Sequence, residues 1–308
     1  MRRVVVIGGP TASGKTATSL ALAELTACEI ISADARQIYC GMDIGTAKPT
    51  REERVRVPHH VLDIRQPGET YNAAQYAQDV HSVIENIPLT SLPVIVGGSG
   101  LYIKAALDGL SSPIGEVDES VREALMVEIE ERGRDALYEE LQRVDPAAAE
   151  LYVDRNPRRI TRALEVYRST GKPLSSFWNS SPEIPTYDVM YFATNHERSV
   201  LRSRIDQRCD GMWDAGLLEE TQRLVDAGVN PECQALQTVG YREAIDVLQG
   251  ASTLDEANAQ LKISTWHYAK RQLTWFMRDS RYQWLSNGPE MNANVILEMI
   301  SERKRIEA

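Results

Sequence analysis

Gly9-Pro10-Thr11-Ala12-Ser13-Gly14-Lys15-Thr16 has the spacing GxxxxGK[ST], and it sits between the apolar run Arg3-Val4-Val5-Val6-Ile7 and a helical stretch from Ala17 to Thr26. A strand, a glycine loop and a helix in that order form a phosphate cradle. Backbone N–H groups at the helix N-terminus point at phosphate oxygens, a lysine adds a point charge, and a hydroxyl can ligate Mg2+. Thr11, Ala12, Ser13, Gly14, Lys15 and Thr16 are therefore expected to hold a di- or triphosphate, with Thr16 on the metal.

A second group should face this loop. Asp34 follows Ile30-Ile31-Ser32-Ala33, a strand-like run, and ligands of open α/β sheets bind outside the carboxyl ends of strands. It is placed to take a proton or to hold Mg2+ through water, although a carboxylate there can also cap its own turn. The run Val94-Ile95-Val96 ends in Gly97-Gly98-Ser99-Gly100, with no acid where a Walker-B aspartate belongs. Nucleotide hydrolases of this type use that acid on Mg2+ during γ-phosphoryl transfer. In its place stand glycines, which permit close backbone approach, and the Ser99 hydroxyl, which could act on a ligand or cap a helix. His59 and His60 are adjacent and would point to opposite faces of a strand, so they do not chelate together. His267 has no partner at helical spacing.

The elements that position these groups read as one doubly wound parallel α/β sheet. Strands are expected at Val4–Ile7, Glu29–Ser32, Leu92–Val96 and Asp188–Ala193. Helices are expected at Ala17–Thr26, Ala73–Ile87, Ser99–Leu107, Glu197–Asp214, Leu217–Ala227 and Asp255–Asp279. In the last of these, Ile263, Trp266, Leu273 and Phe276 form an apolar stripe. Cys40 to Thr70 is a long connection of the kind that is usually functional. Residues 115–197 read as a small helical insertion, closed by Ser181-Pro182-Glu183-Ile184-Pro185, leaving 1–114 and 198–308 as the core. Within it, Asn156-Pro157 starts a helix with Ile160, Ala163, Leu164 and Tyr167 on one face, and Gly171-Lys172-Pro173 ends it.

Composition is that of a globular chain: 308 residues, 43% hydrophobic, 25% charged. No signal-like or spanning apolar segment is evident, so a cytoplasmic protein without membrane attachment is expected. The four cysteines form no CxxC pair and are read as small apolar residues. The net charge of −10 speaks against nucleic acid until its distribution is considered. Residues 155–172 hold six Lys and Arg against Glu165 alone, and residues 262–281 hold five against Asp279 alone. An acidic body with two basic segments suits a polyanion bound at a defined place, although solvated helix faces give the same count.

Several stretches together resemble one family, the tRNA dimethylallyltransferases or tRNA isopentenyltransferases. They are GPTASGKT at 9–16, ADARQIY at 33–39 followed by GMDIGTAKP at 41–49, and VGGSGLY at 96–102. Further matches are Arg143-Val144-Asp145-Pro146, Arg158-Arg159 with Arg162-Ala163-Leu164-Glu165-Val166, Val239-Gly240-Tyr241-Arg242-Glu243, and Tyr268-Ala269-Lys270-Arg271-Gln272 with Thr274-Trp275. The resemblance spans nearly the whole chain in order.

It implies transfer of a dimethylallyl group from dimethylallyl diphosphate to N6 of the adenine at position 37, beside the anticodon of tRNA, with Mg2+ as cofactor. By resemblance Asp34 is the general base and Ser99, where Thr is usual, assists departure of the diphosphate. The loop 11–16 holds that diphosphate with Arg208, and Arg204 is a second candidate cation. The tRNA anticodon stem-loop would be met by Asp34, Ala35, Arg36 and Gln37, by Arg122, by Arg158, Arg159, Ile160, Thr161 and Arg162, and by Gln237, Thr238, Val239, Gly240, Tyr241 and Arg242. A monomer is expected. Ala35 replaces the usual Ser, and Trp266-His267 stands where Arg-Gln is commoner. The alternatives are a relative that prenylates free adenine nucleotides, a P-loop kinase for a small metabolite, and a non-catalytic RNA-binding module.

Overall fold

Val4, Val5, Val6 and Ile7 have no exposed surface at all, and a strand buried on both sides belongs in the middle of a parallel sheet. The computed structural model, which describes residues 1–110, 119–178 and 184–307, places it there. The chain divides into two units, Met1–Leu107 with Pro185–Ala308, and Asp108–Ile184.

The first unit begins with β1 (Arg2–Gly8), α1 (Lys15–Leu25), β2 (Cys28–Ser32), α2 (Arg51–Arg56), β3 (His59–His60), α3 (Ala73–Asn86), β4 (Leu92–Val96) and α4 (Gly100–Leu107). The second holds α5 (Glu119–Val144), α6 (Pro146–Leu151) and α7 (Pro157–Thr170). The first then resumes with β5 (Tyr187–Thr194), α8 (Arg198–Asp214), α9 (Leu217–Asp226), α10 (Tyr241–Leu248), α11 (Leu254–Met277), β6 (Gln283–Leu285) and α12 (Pro289–Glu307).

All strand pairs are parallel, in the order β3-β2-β4-β1-β5-β6. Side chains alternate along each strand, so Val5, Ile7, Ile30, Val94 and Phe192 face one way and pack with Leu20 and Leu22 of α1 and Ile296 and Ile300 of α12. On the far side of the sheet α3 packs against α4, and α11 against α8. Strand β5 completes the sheet beside β1 in register from Arg2↔Tyr187 to Gly8↔Ala193. The expected insertion boundary at 197 therefore lay too far along. The apolar alternation of 188–193 belongs to the sheet, and the second unit ends at Ile184. The expected start at 115 and the closing residues Ser181 to Glu183 fall outside the described residues.

The connection from Cys40 to Thr70 is not loop throughout, since α2 and β3 lie in it. The Lys48 side chain is wholly buried, paired with Asp43 and Asp63 at 2.6 Å each and donating to the Tyr39 carbonyl at 2.8 Å. A second clasp is Glu220 on α9, 4% exposed. It accepts from the amides of Asp43, Ile44 and Gly45 at 3.0–3.3 Å and from the Tyr241 hydroxyl at 2.6 Å.

In α11 the expected stripe is displaced. The buried face runs Leu261, Thr265, Ala269, Gln272, Phe276, while Ile263 is 43% exposed. Two polar residues on the inward face hid the period.

The second unit has its own core of Leu125, Leu137, Leu141, Ile160, Ala163 and Leu164. Asn156 accepts from the Arg158 amide and Gly171 closes α7 at φ 70°, as the sequence predicts. Gly133, at φ 77°, breaks α5 into two helices.

Replacing Glu220 with Ala would leave three part-buried amides and a buried phenol without their acceptor. Urea unfolding of Glu220→Ala is expected to show a loss of about 2–3 kcal/mol. A change below about 0.5 kcal/mol would mean the 43–45 turn is held by other contacts.

Candidate active site

The cradle is built by the turn between β1 and α1. Ala12 at φ 62° and Gly14 at φ 92° curl the backbone so that successive amides converge, and α1 begins at Lys15 with its first-turn N–H groups unpaired by geometry. The Ser13 side chain is spent internally, donating to the Pro10 carbonyl at 2.8 Å and sharing a 2.7 Å hydrogen bond with Thr194 of β5. The Thr11 amide is also taken, by the Gln272 Oε1 at 2.8 Å. The free donors of the loop are thus centred on Ala12, Gly14, Lys15 and Thr16.

A polar cavity opens from this loop, and Lys15, Thr16, Asp34, Arg208, Tyr268 and Gln272 all line it. Among the described residues that line it, Asp34 is the sole acid. Lys15 donates to the Pro10 carbonyl at 2.6 Å. Burial first, then the charge of Arg208, push its ammonium down to about 7, against a partial lift from Asp34. Burial likewise lowers Arg208, which Asp34 partly restores. Two cations held unfavourably beside one carboxylate make a site that gains by accepting an anion. Arg204 is exposed and bonded to His196 Nε2 at 3.1 Å, its guanidinium near Gly14.

Strand ends bring the remaining groups together. Ala33 donates to Val96, Gly97 to Ile7, and Ser99 back to Ala33, which interlocks the ends of β1, β2 and β4. A Cβ at Gly97 would collide with the Ala33 carbonyl, so glycine there is what lets β2 and β4 end together. Asp34 opens on the cavity and also accepts from the Arg36 amide at 2.9 Å, so it caps its own turn as well. Ser99 Oγ accepts from the Ala35 amide at 3.1 Å. Its hydroxyl neighbours the Tyr268 phenol, which lines the cavity where Ser99 does not.

Gln272 was not singled out by sequence reasoning, although it decides the geometry. It is 6% exposed and donates to the Gly98 carbonyl at 3.1 Å while accepting from Thr11, so it ties the cradle to the end of β4. Its signal was a glutamine at core spacing on a long helix.

The structure revises several RNA-facing expectations. Ile160 has no exposed surface and sits in the core of the second unit, and Tyr241 is equally buried behind Glu220, with Gly240 buried beside it. These three hold structure and do not offer a face to RNA. Gln37 spends its side chain on Ser32 and on the carbonyls of Thr46 and Ala47. Arg162 and Arg122 share the buried Glu165 at 2.6 and 2.8 Å. Arg168 is clamped by Glu128 and Glu140, and Arg155 pairs with Asp135. Among the described residues Arg158 has no ionic partner, and Arg159 only a 3.7 Å contact with Asp154. Arg36, Ala35, Thr161, Thr238 and Val239 are half-buried, while Gln237 and Arg242 are exposed.

His59 and His60 do diverge. His60 Nε2 meets Glu29 at 2.8 Å, while His59 lines the cavity, with Nδ1 on the Val57 carbonyl and Nε2 without a protein partner. Among the described residues no three His, Cys, Asp or Glu converge as for a metal. All four cysteines are free. No helix among the described residues is long and apolar enough to cross a membrane.

The family model described as IPP transferase matches residues 37–279. The chain belongs to the IPP transferase family. Relatives named tRNA dimethylallyltransferase agree along its length. That of Geobacillus thermodenitrificans is 42% identical over 99% of this chain and 98% of its own. That of Carboxydothermus hydrogenoformans is 40% identical over 97% of each. The crystal structure of the full-length tRNA isopentenylpyrophosphate transferase of Bacillus halodurans superposes with a TM-score of 0.72 at 38% identity, covering 100% of this chain and 99% of that one. A eukaryotic dimethylallyltransferase, described as acting on tRNA, gives 0.78 at 26% identity over 93% of this chain and 74% of its own. With the family shown, the kinase reading falls away.

The lowered Lys15 pKa has a measurable sign. Between pH 7 and 10.5 the empty folded protein binds fewer protons than the unfolded chain, so its stability rises with pH through that window. A bound anion restores the ammonium. Calorimetry at pH 8 in buffers of different ionisation enthalpy is expected to show inorganic diphosphate binding with an uptake approaching one proton (~1) that is lost in Lys15→Met. Equal proton counts in the two proteins would contradict a deprotonated Lys15.

Proposed function

We propose that the chain transfers the dimethylallyl group of dimethylallyl diphosphate to N6 of adenosine 37 in tRNA, giving N6-isopentenyladenosine and diphosphate. The observation that carries the reading is a polar cavity in which the P-loop donors, Lys15 and Arg208 meet Asp34, the one carboxylate among the described residues lining it. Donors gather where a diphosphate would lie, and the acid stands where a nucleophile must lose a proton.

The amides of Ala12, Gly14, Lys15 and Thr16, with the Lys15 and Arg208 side chains, bind the diphosphate, and their charge favours the departing group over the bound ester. Adenine N6 is a weak nucleophile, and Asp34 orients the amine and receives its proton as the N6–C1 bond forms. The Arg36 amide holds one Asp34 oxygen, which fixes the carboxylate and leaves the other for the base. Thr16 opens on the cavity and offers the hydroxyl that a Mg2+ ion on a diphosphate would take, with water and the diphosphate filling the rest of its shell. Bound there, the ion would neutralise charge on the leaving group. The target base must leave its stack to reach Asp34. Arg158 and Arg159, exposed on α7, are the contacts proposed for the phosphates of the anticodon arm.

Radiolabelled dimethylallyl diphosphate is expected to label unmodified tRNA, and Asp34→Ala to cut labelling by about 1,000-fold or more while tRNA binding stays within a factor of about 3. Label on free AMP and never on tRNA would replace this acceptor with a nucleotide. Arg158→Ala/Arg159→Ala is expected to reduce the salt slope of tRNA binding by about 1–2. An unchanged slope would remove α7 from the RNA face.

A further inference from the structure

We propose that the Tyr268 hydroxyl donates a hydrogen bond to the diphosphate as it leaves, a role that rests on the prenyl-transfer reading above. Tyr268 lies on α11, one helical turn before Gln272, and both line the cavity. Gln272 is bonded at once to the P-loop and to the end of β4, so this level of α11 is fixed to the diphosphate cradle itself. A side chain one turn away is therefore held to the same frame as the donors of residues 12–16.

The phenol has few competing uses. Asp34, the sole acid among the described residues lining the cavity, already takes the Arg36 amide on one oxygen, and its other oxygen is needed for the incoming amine. Ser99, the hydroxyl expected to aid departure, accepts from the Ala35 amide and does not itself line the cavity. It neighbours the Tyr268 phenol, so the polar chain from Ala35 through Ser99 reaches the cavity at Tyr268. The guanidinium of Arg271 lies 5.8 Å from the ring centroid, which steadies the ring. Burial first, then the charge of Asp34, hold the phenol proton on well past neutrality against the opposing pull of Arg36, Arg271 and Ser99. The group is thus a donor wherever Asp34 is a base.

In the transfer step the C1–O bond breaks and its electron pair goes to the diphosphate, the N6–C1 bond forms, and the N6 proton passes to Asp34. The phenol keeps its proton throughout. Its hydrogen bond strengthens as negative charge gathers on the departing oxygen, which is the condition for lowering the barrier.

Tyr268→Phe removes the hydroxyl and keeps the ring. Single-turnover transfer to tRNA is expected to slow about 100-fold, the cost of one lost oxyanion donor. Melting temperature, tRNA affinity and the acidic limb of the pH–rate profile are expected to stay as in the wild type. A rate within about twofold of wild type would overturn the proposal. So would a displaced acidic limb, which would assign the phenol to Asp34 instead. Should Tyr268→Phe fail to fold, 3-fluorotyrosine at position 268 gives the answer, since its more acidic phenol is expected to speed transfer and an unchanged rate would overturn the role. Failure of the underlying reading is separate, because wild-type enzyme would then leave tRNA unlabelled.

Discussion

Backbone amides at the first turn of α1 have no partner inside the helix, and they are held at the mouth of a cavity that already contains Lys15 and Arg208. Everything around the site keeps that concentration of donors in place. β1 is buried on both faces between β4 and β5, so the loop cannot drift away from the sheet edge. Thr194 at the end of β5 anchors Ser13, and Gln272 anchors Thr11. The cost of burying Lys15, and of setting it beside Arg208, is visible in its lowered pKa, and an anion relieves it.

The opposite wall depends on buried charge of the other kind. Glu220 and Lys48 have almost no exposed surface, and each gathers several partners from the 39–63 segment. A buried ion is tolerable only when its hydrogen-bonding capacity is filled, so these residues define one arrangement of a segment that contains little regular structure. Gln37 then braces the carbonyls of Thr46 and Ala47 from the cavity side. Asp34 is positioned by a turn whose next residues are themselves fixed in this way.

The insertion shows how a local charge count misleads. Six basic residues between 155 and 172 face one acid in sequence. In the folded unit Glu128, Glu140 and Asp135 reach across from α5 and take up Arg168 and Arg155, while Glu165 serves two arginines. The exposed positive charge left on α7 is narrower, centred on Arg158 and Arg159, which makes it a more local contact than the count suggests.

The sequence by itself determined the β1–loop–α1 cradle, the carboxylate at the end of β2 and the glycine end of β4, because each rests on residues adjacent in the chain whose geometry is local. It also determined the α7 caps, through Asn156, Pro157 and Gly171. It did not determine where the insertion ends, that Tyr241 is a core residue, or that Gln272 and Tyr268 share a cavity with Asp34. The shared cavity depends on contacts between segments far apart in the chain, such as that of Thr11 with Gln272. Polar residues on a buried helix face carry no periodic signal of their own, so only packing α11 against the sheet end gave Gln272 and Tyr268 their place.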